Sequence, residues 1–116
     1  MTREEAFLRA AKNYEVHNIA AETWSSSLLA SGERKRAEIC KIIIDIMWGK
    51  TPTGNVGEAL SVLKKEEAEY KLKLAYSMAE SIYPRYTEEY KNCVDWYGHC
   101  VKALEDYLVN HGGENK

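Results

Sequence analysis

Apolar side chains recur along this chain at alternating three- and four-residue steps, the spacing that gathers them on one face of an α-helix. The first series is Phe7, Ala10, Tyr14, His17, Ala21, Trp24 and Leu28. It follows Thr2-Arg-Glu-Glu5, where a threonine stands three residues before a glutamate as a capping box requires, so a helix is predicted over about 3–30. Ser31-Gly32 then interrupts the pattern, and Arg34, Lys35 and Arg36 are placed to offset the negative end of that first helix. From Ala37 to Trp48 nearly every position is apolar apart from Glu38, Lys41 and Asp45, which predicts a second helix over 33–48, buried on most sides. Ile42-Ile-Ile44 would also suit a strand, but a lone strand leaves its backbone groups unpaired, and helix is the assignment.

Residues 49–55, with two glycines and Pro52, form the clearest loop, and Asn55 with Glu58 three residues later marks another helix start. The third helix, over 56–83, presents Ala59, Leu60, Leu63, Tyr70, Leu74, Met78 and Ile82 on one face, interrupted by Glu67. Glu67–Lys71 and Glu69–Lys73 pairs support it at the favourable four-residue spacing. Tyr83 precedes Pro84, a context that disfavours helical geometry, whereas Pro84 itself suits a first turn, so the chain is expected to reverse here. Tyr86, Tyr90, Cys93, Tyr97, Cys100, Leu104 and Tyr107 draw the seam of a fourth helix over 84–110. Gly112-Gly113 terminates it, and the tail over 111–116 should fray. The fold expected is all-α: a four-helix, antiparallel up-down bundle with a largely buried second helix, formed by residues 1–116 as one domain.

The chain's 116 residues are enough for one core without disulfide or metal. Sixteen basic and 18 acidic residues give a formal charge of −2, a balance that argues against nucleic acid or a membrane surface as the main partner. No apolar run approaches the ~18–20 residues of a membrane span, and the charged start lacks the apolar core of a signal peptide. Three cysteines without short spacing fit a reducing compartment, so free thiols and a cytoplasmic location are expected. The absence of glutamine and the preference for Glu over Asp fit a heat-adapted source.

Few residues carry candidate chemistry. His17 sits in the apolar seam of the first helix, where centred packing against the fourth helix would turn it toward Cys93, Tyr97 and Cys100. Cys93 and Cys100 are separated by roughly 10 Å along a helix, too far to share one zinc or form a disulfide. His17 therefore reads as a core histidine bonded to a tyrosine or a carbonyl, and no metal or cofactor is expected. The Glu-x-x-His signature of di-metal bundles is absent. Gly49-Lys50-Thr51 lacks the upstream glycine of a phosphate loop, Ile44 standing there instead. Arg34-Lys35-Arg36 and Lys64-Lys65 have acidic neighbours and read as solvated faces, as does the Asp95–His99 pair.

Lys12-Asn13-Tyr-Glu-Val-His17 resembles the Arg-Asn-x-x-x-His motif of HEPN domains, small helical modules found in many RNases and toxin systems, with Lys12 in place of the arginine. The resemblance covers six residues and implies an RNA-associated or RNA-cleaving protein using Lys12, Asn13 and His17. Set against it are a small-ligand or metal-binding bundle built on His17 and the thiols at Cys40, Cys93 and Cys100, and a non-catalytic interaction or assembly module. The last leads, because every ordered pattern serves helix packing and no catalytic constellation emerges. Leu72, Tyr76, Ala79 and Tyr83 draw a second apolar stripe on the third helix, about 120° from the first, and Leu8, Val16 and Ile19 fall outside the seam of the first helix. Together they are the expected interface with a second copy or with another helical protein.

Overall fold

The computed structural model describes residues 1–80 and 84–111. Its four helices are α1 (Arg3–Thr23), α2 (Ser27–Trp48), α3 (Val56–Glu80) and α4 (Pro84–Asn110), with no strand among the described residues. The capping box forms as read: Glu5 N donates to Thr2 Oγ1 at 3.1 Å, and Thr2 N donates to the Glu5 carboxylate at 3.2 Å. The Thr2 N–H, with the Thr2 hydroxyl beside it, holds the Glu5 carboxyl below the usual carboxylate range. Asn55 caps α3 by accepting from Glu58 N at 2.9 Å. The turn at Tyr83-Pro84, Ile82 and the Gly112-Gly113 terminator involve residues outside those described.

The boundary between the first two helices differs from expectation. α1 ends at Thr23 rather than near Ala30, with Trp24 extended at the cap, and α2 begins at Ser27 rather than 33. Ser26 supplies an earlier capping hydroxyl to Leu29 N, and Gly32 stays inside α2, where its cost of about 1 kcal/mol is outweighed by an added turn of backbone bonds. Arg34, Lys35 and Arg36 consequently lie well inside α2. At the other end Gly49, at φ 85°, closes α2 left-handed; its N–H donates to Ile46 O at 3.2 Å and Lys50 N–H to Asp45 O at 2.8 Å.

α1 packs along α2 and α3 along α4, and the two pairs meet mainly where α4 touches α2 and α1. The core lies at that junction. It draws Ala6 and Ala10 from the start of α1, Ile42, Ile43 and Ile46 from the end of α2, Val56, Ala59 and Leu63 from the start of α3, and Trp96 through Tyr107 from the end of α4. Trp96 was not anticipated as a core residue; it is buried, and its Nε1–H donates to Ala6 O at 3.0 Å.

The remaining half of each helix extends from this core as a two-helix arm. Burial in α2 is concentrated in its second half, 37–47, within the apolar run read from the sequence; before that Ala30 alone is buried. Trp24, Leu28 and Met78, placed in seams by spacing, are exposed because no helix crosses them. The α3/α4 arm is joined by a ladder of rings, Tyr97 on Tyr70 at 5.5 Å, Tyr70 on Tyr90 at 6.2 Å and Tyr90 on Tyr86 at 6.5 Å. The Glu67–Lys71 pair is present at 3.8 Å, whereas Lys73 stands over the Tyr70 ring rather than beside Glu69. The molecule measures 45 × 39 × 22 Å with a radius of gyration of 15.1 Å, against about 13 Å for a compact chain of this length.

Two tryptophans should separate core from arm. Trp96→Ala is expected to lower unfolding free energy by about 3–5 kcal/mol, while Trp24→Ala should change it by less than about 0.5 kcal/mol. Urea unfolding followed by far-UV circular dichroism measures both, and comparable losses would contradict a core confined to the junction.

Candidate functional site

The divergence of the two arms leaves a cleft of about 400 Å³ beside the core, with all four helices contributing to its wall. Ile39, Cys40, Leu63 and Trp96 supply apolar lining, and Asn13, His17, Arg36, Glu66 and Tyr97 bring polar groups to it. Across it Tyr97 Oη donates to Glu66 Oε2 at 2.5 Å, and Arg36 Nη1 donates to Glu66 Oε1 at 3.2 Å, so one half-buried carboxylate ties α2, α3 and α4 together. Burial and the bond to Glu66 hold the Tyr97 hydroxyl protonated well above the ordinary tyrosine range. Sequence reasoning missed Glu66. Its signal was available: it stands three residues after Leu63 and four before Tyr70, on the apolar face itself.

His17 does not face a cysteine layer. Its Nδ1 meets Glu33 Oε2 of α2 at 2.5 Å, both side chains half-buried, because the longer α2 runs beside the second half of α1 and offers a carboxylate there. Asn13 and His17 come together on the cleft wall; Lys12 is exposed and does not line it. An imidazole held at Nδ1 by a carboxylate keeps Nε2 for proton transfer or hydrogen bonding. Among the described residues no hydroxyl or thiol hydrogen-bonds to it, so no activated nucleophile accompanies the pair. His99 is occupied differently, donating from Nε2 to Met1 O at 2.8 Å with Asp95 at 3.7 Å.

The thiols are dispersed. Cys40 and Cys100 are buried, and Cys93, half-buried, accepts from Arg9 Nη2 at 3.3 Å while the same guanidinium lies over the Trp96 ring. No group of three or more His, Cys, Asp or Glu among the described residues is arranged to hold a metal. No helix among them is long and apolar enough to cross a membrane.

Of the expected interface residues, Leu72 and Tyr76 on α3 are 58% and 63% exposed, and Ala79 is exposed beside them; Tyr83 lies outside the described residues. On α1, Leu8, Val16 and Ile19 are 58%, 51% and 63% exposed. The two stripes lie on helices that make no direct contact with each other among the described residues.

Burial pushes the Cys40 thiol up to about 11 and raises that of Cys100 as well. An unfolded thiol ionises near 9.0, so folded and unfolded chains are both protonated below that pH and stability is complete there. Above it the unfolded chain loses protons first. Stability should fall by about 1.4 kcal/mol per pH unit for each buried thiol until the folded thiol also ionises. Urea midpoints under reductant at neutral and alkaline pH would show the decline, and Cys40→Ala should make it shallower; an identical slope in that variant would contradict the assignment.

Comparison with family models, with curated proteins and with solved structures finds no match, so the functional reading of this chain rests on its own geometry.

Proposed function

We propose that this chain is a non-catalytic helical interaction module that associates with itself. The observation that carries the reading is exposed apolar surface: Val16, Ile19, Leu72 and Tyr76 are each more than half exposed.

The distribution of side chains supports the same conclusion. In the α1/α2 arm the buried positions outside the junction are Ala21 and Ala30, while Val16, Ile19, Trp24, Leu28 and Leu29 face outward, the reverse of an isolated helix pair. The α3 stripe adds Leu72, Tyr76 and Ala79. Apolar surface distributed in this way marks an interaction site. The reading takes the bundle as one antiparallel up-down domain. Arg3 of α1 reaches Met47 O near the end of α2, and His17 reaches Glu33 near its beginning, an order that supports opposed directions. It also takes the protein as cytoplasmic, where thiols remain reduced.

Tyr76→Glu places a charge in the α3 stripe without touching the core. Sedimentation velocity should find wild type as a dimer or larger assembly and the variant as a monomer of unchanged helical circular dichroism. Val16→Glu with Ile19→Glu tests the α1 surface in the same way. A wild type that stays monomeric at high micromolar concentration would overturn the proposal.

A further inference from the structure

The cleft between the arms has a composition that self-association does not use, and its charges are already satisfied. Arg36 is held by Glu66, whose second oxygen is taken by Tyr97. Lys35 is paired with Glu58, and His17 with Glu33. Each cation at the cleft therefore faces a carboxylate, and the wall presents no unbalanced charge of either sign to a ligand. Separating Arg36 from Glu66 would leave a half-buried carboxylate without its cation. The Asn13 carboxamide remains: half-buried, on the cleft wall, and without a hydrogen bond to any described residue. Beside it His17 keeps Nε2 available, and Ile39, Cys40, Leu63 and Trp96 supply apolar lining.

Gly32 is an independent observation. It lies inside α2 and lines the cleft, although glycine destabilises a helix interior. Its φ is not left-handed, and a Cβ built on it would meet nothing within 4 Å. Neither backbone geometry nor close packing therefore requires glycine at this position. A larger residue would project into the open cleft. The volume, about 400 Å³, falls in the range of small-molecule sites between the helices of bundles.

From these features we infer that the cleft is a binding site for a small uncharged molecule with a largely apolar body and one edge carrying a hydrogen-bond donor next to an acceptor, as in a lactam or amide. Such an edge pairs with both the N–H and the C=O of Asn13, and the body covers the apolar lining without disturbing any ion pair. The site shares only Leu28 with the surface assigned to self-association; Val16, Ile19, Leu72, Tyr76 and Ala79, where that proposal is tested, form no part of its wall.

The test is a ¹H–¹⁵N NMR titration of the full chain with three uncharged bicyclic lactams, 2-quinolinone, 1-isoquinolinone and oxindole, beside 2-naphthoate as the anionic counterpart. At least one lactam should bind saturably, moving the Asn13 side-chain amide and the Gly32 N–H, and should bind about tenfold more tightly than 2-naphthoate. Asn13→Ala should weaken that lactam by about fivefold, the loss expected of a modest hydrogen bond. Gly32→Leu should abolish binding while the urea midpoint stays at or above that of wild type. The inference fails if no lactam shifts these resonances, if 2-naphthoate binds more tightly than every lactam, or if a folded Gly32→Leu protein binds as well as wild type.

Discussion

The close approach of α4 to α1 is the contact on which the rest of the molecule depends. Two alanines, Ala6 and Ala10, occupy the face of α1 that meets the core, and with so little side chain between them the indole of Trp96 reaches the main chain of α1 and donates to Ala6 O. A larger residue at either alanine would hold the helices apart and leave a buried indole N–H without its acceptor, a group that is costly to strand. The bond also locates the junction. With α4 fixed at that point, Leu104 and Cys100 join Ile43 and Val56 as the largest fully buried side chains, and the four half-helices share one core.

A junction built from half of each helix leaves the other halves in solvent, and the cleft follows from that geometry. Where the arms separate, the bundle cannot fill the space with hydrocarbon, so polar groups take over: Glu66 joins Arg36 and Tyr97, and Glu33 holds His17. These bonds act as a transition between the dry core and open water. The arms are stabilised differently from each other. Tyrosine rings in contact run along α3 and α4, while α1 and α2 bury small alanines there and present large apolar residues outward. A monomer gains little from a Val, Ile or Leu left in water, so these side chains contribute less to the stability of the arm than the alanines it buries.

Much of the secondary structure was legible because its determinants are local. Thr2 with Glu5 and Asn55 with Glu58 act within one turn, and Pro84 starts α4 because its own ring sets φ. The misplaced boundary between α1 and α2 was a competition between two local signals. Ser31-Gly32 looked like a terminator, but Ser26 offered a cap first, and the glycine was carried into the helix. The candidate site was legible only in part. Asn13 and His17 share a wall because they are one helical turn apart, whereas Glu33, Arg36 and Glu66 join them from helices whose relative placement no local pattern specifies.

Periodicity thus determined that this protein is all-helical, where three of its four helices begin, and which face of each carries apolar residues, since all of these depend on spacing within a single helix. Tertiary structure decided how much of each face is covered. Spacing made Trp24, Leu28 and Met78 look like core, and they are exposed, while Trp96 became core without belonging to the seam. A stripe becomes buried only where another helix crosses it, and that crossing is set by side-chain size at a junction between residues some ninety positions apart, Ala6 and Trp96.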